Sequence, residues 1–325
     1  MKTNFFIRKL FRDQAFLLLV LLVIMIFVFS ALSPNFANAN NFSLILSQTF
    51  CNLIGVLGLA TVFISGHIDI STGAVMCMCA GTAAKLAKAD MPVVVWLLLP
   101  ILMGAAAGAI NGTLTRKLNF HPIICTTATN YVFRGLCYVI CGVQYLVDFP
   151  KSFTTWSITR VAGMPIPFII FLFMLLGFWF FLTRTGLGRR IYVIGNDKAS
   201  AERMGIHVDK TAIIAYTICG AVMGFAGVVN AASTGTVNPA TTGAATGTQL
   251  MAAALAGGVS IGGGKGSVIG AVIGAFFVGI IRNGLIICRI SEYWIDAVTG
   301  AIILAALLLN GYTLKQELKA RKELK

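Results

Sequence analysis

A hydrophobic run over residues 122–142 carries polar side chains at a helical spacing. Thr126, Asn130 and Arg134 follow one another at intervals of four residues. Residues four apart lie on the same face of an α-helix, one above the other. This face offers hydroxyl, amide and guanidinium groups, which form hydrogen bonds but provide no acid–base pair. It indicates either contact with a partner helix or a water-filled path, and such a path would suit neutral polar solutes better than ions.

A second segment with chemical potential, residues 66–73, reads GHIDISTG and joins two apolar runs. An ionisable side chain such as Asp69 is costly near a bilayer and is a functional candidate by default. The two glycines of the segment permit a break in the helix, and Ser71 and Thr72 are predicted to cap the helix that follows. Two interpretations stay open, because Asp69 can organise the break, line a path, or do both.

The sequence offers no pattern for catalysis. The glycine-rich residues 257–267 differ from a phosphate-binding loop, because Lys265 is followed by Gly266 and not by the hydroxyl that would hold magnesium. We expect a tight re-entrant turn there. The eight cysteines fall within or beside apolar runs, where free cysteine behaves as a small hydrophobe. We therefore predict no catalytic residue, no metal site and no cofactor bound by this chain.

The elements that must position these residues follow from composition. The chain has 325 residues, 58% of them hydrophobic and 11% charged, whereas soluble domains carry about 25% charged residues. A bilayer crossing takes roughly 20 apolar residues, and solid apolar runs favour helices over a β-barrel. The sequence predicts an all-α polytopic membrane protein with a single transmembrane domain over residues 1–325. About ten spans are expected, near 15–32, 44–65, 71–88, 92–114, 122–142, 166–182, 212–231, 249–261, 267–286 and 293–311.

Positive charge sets the expected orientation. Lys and Arg concentrate in the N-terminal segment 1–14, the central loop 183–211 and the C-terminal tail 312–325. Such a bias marks the cytoplasmic side of a membrane protein. Both termini and the central loop are therefore predicted to be cytoplasmic. The net charge of +14 is then a topology signal, and no nucleic-acid partner is expected.

Glycine spacing and an internal similarity predict how the helices are arranged. Three glycine pairs, 104 and 108, 220 and 224, and 270 and 274, each place small residues on one helix face, which favours close packing. Residues 104–114 (GAAAGAINGTL) resemble residues 274–285 (GAFFVGIIRNGL). An odd number of predicted spans separates Asn111 from Asn283, as in two five-helix halves of inverted orientation; chance similarity is the alternative. Both asparagines join the candidate pathway residues, which are Asp69, Ser71, Asn111, Thr126, Asn130, Arg134 and Asn283.

Residues 196–205 (NDKASAERMG) in the central loop contain the signals of a short helix. Asn196 is predicted to cap it, Asp197 lies at its positive end, and Gly205 ends it. A helix of two turns is marginal by itself, so it is expected to need a docking surface. A solvated loop helix is the alternative.

Taken together, these motifs resemble the membrane permease subunit of ATP-binding-cassette (ABC) importers for ribose, galactose, xylose and related monosaccharides. The resemblance spans about residues 16–309 and rests on residues 66–73, 110–114, 120–136, 183–206, 257–275 and 280–285. It implies the cytoplasmic (inner) membrane of a bacterium. It also implies a second permease subunit, identical or paralogous, two cytoplasmic ATPases that use ATP and Mg, and an extracytoplasmic sugar-binding protein.

The resemblance further implies that residues 196–205 form a coupling helix seated in a cleft of the ATPase. The residues expected to take part are Gly195, Asn196, Ala199, Ser200, Ala201, Glu202 and Gly205. The chain departs from the usual family pattern at His67, where a glycine is common, and at Gln249 or Met251, where an acidic residue is common. Both departures concern the substrate and not the fold.

Two other transport classes compete with this interpretation. An ion-coupled secondary transporter would need a carboxylate or cation site in mid-membrane, and Asp69 is the only well-placed candidate, since Asp296 lies near the end of a predicted span. A facilitator would conduct without ATP or partners. An integral membrane enzyme would require convergent acid–base groups, which the sequence lacks.

Overall fold

The computed structural model describes residues 14–161, 163–291, 294–301 and 304. Its helices are α1 Gln14–Leu32, α2 Ala39–Ile64, α3 Thr72–Lys88, α4 Val93–Arg116, α5 Pro122–Cys141, α6 Lys151–Ile158, α7 Ile166–Arg184, α8 Gly186–Asn196, α9 Lys198–Arg203, α10 Val208–Thr234, α11 Thr246–Ala256 and α12 Val268–Ile287. Residues 294–301 are also helical. Strands β1 Arg160–Val161 and β2 Met164–Pro165 form a small antiparallel hairpin in which Arg160 is opposite Pro165.

Among the described residues, seven helices are long and apolar enough to cross a membrane, namely α1, α2, α4, α5, α7, α10 and α12. The predicted class, an all-α polytopic membrane protein, is therefore confirmed. Two predicted spans form shorter helices, since α3 has 17 residues and α11 has 11, below the roughly 20 of a full crossing. The tenth predicted span, 293–311, lies largely outside the described residues.

The centre of the bundle is formed by α2 and α10, which pack against each other, with α3 and α4 against α10. The contact between α4 and α10 is made by glycines. A Cβ added at Gly104 would collide with the carbonyl oxygen of Gly220, and one added at Gly220 would collide with that of Gly104. Small residues let membrane helices approach closely where no hydrophobic drive exists between them. The predicted packing role of these glycines is confirmed.

A similar contact joins α11 to α12. A side chain at Gly274 would meet the carbonyl oxygen of Ala253, and one at Gly270 would meet that of Gly257. Residues 257–267 therefore connect two tightly packed helices. The predicted tight turn is present there, with the amide of Ser260 donating to the carbonyl of Lys265 at 3.1 Å.

Two non-helical segments, residues 65–71 and 235–245, lead into the interior of the bundle. The second segment touches the first turn of α3 at Gly243 and Gly73, because a Cβ at either would collide with the carbonyl oxygen of the other. Gly243 also has a φ of +71°, which only glycine adopts readily. The helix α3 starts directly after the first segment and α11 directly after the second. The contact between Gly73 and Gly243 therefore fixes the second segment against the first turn of α3.

Candidate functional site

The first break, residues 65–71, is organised by Asp69. Its Oδ1 accepts hydrogen bonds from the amide and the hydroxyl of Ser71 at 2.9 and 2.7 Å. The Nδ2 of Asn111 donates to Ser71 Oγ at 2.7 Å and lies 3.4 Å from Asp69 Oδ1. All three residues are buried. A carboxylate just before a helix N-terminus is favoured by the helix dipole, so this cluster holds the start of α3.

The capping prediction for this helix is wrong in its detail. Ser71 occupies the N-cap position of α3, yet its side chain makes no capping hydrogen bond in the described structure. Its hydroxyl donates to Asp69 instead. The backbone of Ser71 is helical, with φ −75° and ψ −6°, whereas a capping serine normally has an extended conformation.

Three further helices hold the same break in place. The amide of Ile70 donates to Thr126 Oγ1 of α5 at 3.2 Å, and the hydroxyl of Tyr216 on α10 donates to the carbonyl of Ile68 at 2.9 Å. With Asn111 on α4, the break is therefore bonded to α4, α5 and α10. Four of the candidate residues from the sequence analysis therefore lie around this break, namely Asp69, Ser71, Asn111 and Thr126.

The second break, residues 235–245, is held by Arg134. Its Nη1 donates to the carbonyl oxygens of Pro239 and Thr242 at 2.8 and 2.6 Å. The polar face of α5 thus reaches one break through Thr126 and the other through Arg134. Asn130 lies between them, half-buried and without a hydrogen-bond partner in the described part of the chain. Of the three, Asn130 is the one whose side chain makes no hydrogen bond within the described residues.

Asn283 does not belong to this cluster. It accepts a hydrogen bond from Asn41 Nδ2 at 3.0 Å, near the start of α2. The Asp69 cluster follows the other end of α2, and the 23 residues from Asn41 to Ile64 span about 35 Å at 1.5 Å per residue. Asn111 and Asn283 therefore lie at opposite ends of the bundle, and the predicted pathway residues do not form a single site.

The central loop differs in detail from its prediction. Asn196 is the last residue of α8, and Asp197 caps α9 by accepting hydrogen bonds from the amides of Ala199 and Ser200 at 3.0 and 3.2 Å. The hydroxyl of Ser200 also donates to Asp197, and these bonds lower the pKa of the Asp197 carboxyl. The helix is shorter than predicted, at six residues. Gly205 follows it with a φ of +75°, as expected of a glycine stop.

Backbone contacts tie the end of α8 to the interior. A Cβ at Gly195 would collide with the carbonyl oxygen of Ile64, the last residue of α2. The amide of Gly264 donates to the same carbonyl at 2.8 Å, and Gly264 lies directly against Asn196. Gly263 touches both Gly195 and Gly66, the second residue of the first break. The end of α8, the first break and the 257–267 turn therefore form one rigid contact.

The residues predicted to couple to an ATPase divide by exposure. Ala201 is buried against Ile194, Val208 and Ala212. Ser200 is half-buried. The exposed members are Asn196, Ala199, Glu202 and Gly205. Only this exposed group is open to a partner, while Ala201 attaches α9 to the rest of the chain.

A cavity of about 470 Å³ lies beside this contact and is lined by His67, Arg116, His121 and Lys198 among others. The Nδ1 of His67 lies 3.1 Å from Ser65 Oγ. Burial first, and then the positive charge of Arg116, lower the pKa of His67 to about 4. His67 is therefore neutral at physiological pH. Arg116 is ion-paired with Asp209, which joins the end of α4 to the start of α10.

Comparison with known proteins identifies the class of molecule. Residues 41–307 match the family model for the branched-chain amino acid transport system / permease component. The chain belongs to this family. It is the permease subunit of an ABC importer and not an enzyme, and permeases of this class work with separate ATPase and binding-protein partners.

Individual relatives align over nearly the full length. The D-allose transport system permease of Escherichia coli K12 is 36% identical over 89% of each chain. The ribose import permease of the same strain is 33% identical, over 90% of this chain and 92% of its own. An autoinducer 2 import system permease of Enterobacter sp. strain 638 is 32% identical over 87% and 82%. No solved structure is significantly similar to this chain.

The structure also shows polar residues that the sequence reasoning missed. Asn52 on α2 donates to Gln249 Oε1 of α11 at 3.5 Å. Gln48, one turn before Asn52, lines a separate cavity between α2 and α10. The sequence did contain a signal for these residues. Gln48 and Asn52 are four residues apart in an apolar run, which is the spacing of the polar residues on α5.

Proposed function

We propose that this permease forms the path for a monosaccharide or similar small neutral polyol into the cell. The names of the relatives, which include allose and ribose permeases, support a sugar substrate. The interior polar groups support it as well, since they are mainly amides and hydroxyls. An ionised substrate would need a compensating charge at membrane depth. Asp69 is used instead to hold the start of α3, because its Oδ1 accepts from the amide and hydroxyl of Ser71.

The proposed topology has ten membrane segments in two inverted halves, with both termini in the cytoplasm of a bacterial cell and the protein in its inner membrane. In this order, α3 is the third membrane segment of the first half, and α11 is the third membrane segment of the second half. Both are short and both follow a non-helical break, which supports the inverted repeat. The opposite placement of Asn111 and Asn283 supports it too.

The proposed assembly contains two permease subunits, identical or paralogous, two ATPases that bind ATP and Mg, and an extracytoplasmic sugar-binding protein. Closure of the ATPases would act on the exposed face of α9. The observation that carries this proposal is the contact of Gly195 and Gly264 with Ile64, because it links the end of α8, which directly precedes α9, to the break before α3. ATPase closure can shift the permease between two states only if the ATPases bind them with different affinity.

The test is uptake of radiolabelled D-ribose and D-allose by proteoliposomes that contain the complete complex. We expect uptake of at least one sugar that requires ATP, the ATPases and the binding protein together. Uptake by the permease alone under a proton or sodium gradient would support the ion-coupled alternative. Uptake by the permease alone without any gradient would support a facilitator, and either result would contradict the proposal.

A further inference from the structure

A cavity of about 420 Å³ lies between α2, α10 and the β1–β2 hairpin. Its volume is in the range of small-molecule sites, about 300–1,000 Å³. The lining is mixed, with amides and hydroxyls beside apolar groups. Its polar members are Ser47, Gln48, Ser157, Arg160, Asn230, Ser233 and Thr234.

The cavity lies at the end of the bundle farthest from α9. Ser47 and Ile64 are both on α2, and 17 residues at 1.5 Å each place the cavity about 26 Å from the α8 contact. The helix α10 begins beside α9, where Val208 packs with Ala201, and ends at the cavity with Thr234. In the proposed topology, the cavity therefore opens to the outside.

The lining can both donate and accept hydrogen bonds. The hydroxyls of Ser47 and Ser233 donate to the carbonyls of Ser43 and Val229 on their own helices, which leaves their oxygens to accept. The Gln48 amide has no partner among the described residues, and Asn230 makes only a 3.9 Å contact with a sulfur atom. An amide offers two donors and an acceptor. Such a set matches the hydroxyl groups of a sugar.

On its inner side, the cavity lies next to a contact between α2 and α11, the short helix that follows the second break. One turn below Gln48, Asn52 is hydrogen-bonded to Gln249 of α11, and Leu250 packs against Gly55 of α2. The helix α11 is therefore attached to α2 one turn inward of the cavity.

We propose that this cavity is the outward-facing acceptor site for a neutral polyhydroxylated solute, with Gln48 and Asn230 as its principal hydrogen-bonding side chains. The inference rests on the proposed function, since it gives that function a binding site. Nothing in the earlier set of candidate pathway residues belongs to this cavity. The solute class follows from the lining, in which Arg160 is the only ionised side chain.

The first experiment measures protection of cysteine variants in the complete complex. Gln48→Cys and Ser233→Cys are labelled from outside with a membrane-impermeant thiol reagent, with and without saturating D-ribose or D-allose. The parent chain gives the background, which includes Cys51 at the cavity wall. Asn40→Cys is the matched control, because it is exposed on the first turn of the same helix but outside the cavity. We expect the transported sugar to slow labelling at 48 and 233 at least threefold and to leave position 40 unchanged.

The second experiment measures uptake by Gln48→Leu and Asn230→Leu complexes. Loss of one hydrogen bond to a neutral group corresponds to about a three- to tenfold rise in the apparent KM for the sugar. Asn40→Leu is expected to keep the KM of the unmodified complex.

The outcomes separate the two proposals. If the unmodified complex transports a sugar, but labelling at 48 and 233 is unaffected or position 40 is protected equally, the cavity assignment is wrong and the proposed function stands. If the unmodified complex transports neither sugar, the proposed function fails and the assignment fails with it. The cysteine variants keep the test decisive even where a leucine variant does not assemble.

Discussion

Asp69 illustrates how one buried acidic residue can organise the backbone of a membrane protein. Its carboxylate accepts hydrogen bonds from the amide and hydroxyl of Ser71, and Asn111 approaches both of its oxygens. The two short bonds from Ser71 both go to Oδ1 of this carboxylate. Its main effect is to fix where α3 begins, and hence the position of the first break.

The first prediction concerns Asp69→Ala. This change removes the acceptor of the buried amide and hydroxyl hydrogens of Ser71, which costs about 1–3 kcal/mol. We expect a clearly lower thermal midpoint for the purified complex in detergent. Asp69→Asn is the control, because its side-chain oxygen can still accept from Ser71, and we expect a smaller loss. Equal midpoints for the two variants would contradict the organising role.

The second prediction concerns His67 and pH. Its folded pKa of about 4 lies below its ordinary value of 6.5, so the unfolded chain binds the proton first. This group's contribution to stability is therefore complete above about pH 6.5 and is lost as pH falls towards 4. Arg116, Lys198, Asp209 and His121 surround the ring or line its cavity.

We expect the thermal midpoint to fall less between pH 7 and 5 for His67→Gln than for the unmodified protein. The neighbouring charged groups are present in the variant and in the unmodified protein, so they do not produce the difference between the two changes in thermal midpoint. Identical pH profiles would show that His67 is not buried in its neutral form.

The elements that distinguish this fold are the two short helices that follow breaks. The break before α3 is bonded to Thr126 and the break before α11 to Arg134, and both partners lie on α5. The second break also touches the first turn of α3, where Gly243 meets Gly73. The two short helices are therefore connected through α5 and through this glycine contact.

The third prediction tests the link from α8 to the first break. Gly195→Ala would force a Cβ into the carbonyl oxygen of Ile64, so we expect the contact to open. Sugar uptake per ATP hydrolysed should fall at least several-fold. Gly186→Ala is the matched control at the other end of α8, where a Cβ meets nothing within 4 Å. A normal coupling ratio in Gly195→Ala would argue against this route.

The fourth prediction separates the two faces of α9. Glu at position 199 projects into water, because Ala199 is exposed. We expect Ala199→Glu to leave the permease folded while abolishing substrate-stimulated ATP hydrolysis. Ala201→Glu would bury a charge against Ile194 and Val208, so we expect it to lower the thermal midpoint. Normal stimulated hydrolysis in the Ala199→Glu complex would defeat the coupling proposal.

On the scale of the whole molecule, the proposed coupling surface and the proposed acceptor cavity lie at opposite ends of α2 and α10. Both helices are continuous and largely buried. Transport by alternating access requires a signal to pass between the two sides of the membrane, and these two helices connect them.

The fifth prediction tests this orientation in membrane vesicles. Lys198→Cys should react with an impermeant thiol reagent only in inside-out vesicles, because α9 is proposed to face the cytoplasm. Asn40→Cys should react only in right-side-out vesicles. The reverse pattern would place the coupling surface outside and remove the basis of the proposed function.

Local sequence signals determined the class of protein and much of its outline. Apolar runs predicted membrane helices because burial of backbone in lipid requires them, and Gly205 predicted the end of α9. The motifs that resemble sugar importer permeases led to the correct family. These properties depend on residues close in the chain, so they can be predicted without knowing the packing.

Only the tertiary structure decided which distant groups meet. It paired Asn283 with Asn41, directed Arg134 to the carbonyls of residues 239 and 242, and brought Asn230 and Gln48 to the same cavity. An isolated polar residue in a membrane helix requires a partner, but its own sequence neighbourhood does not specify which one. Helix packing makes that choice, and here it is set by the glycine contacts that bring the helices together.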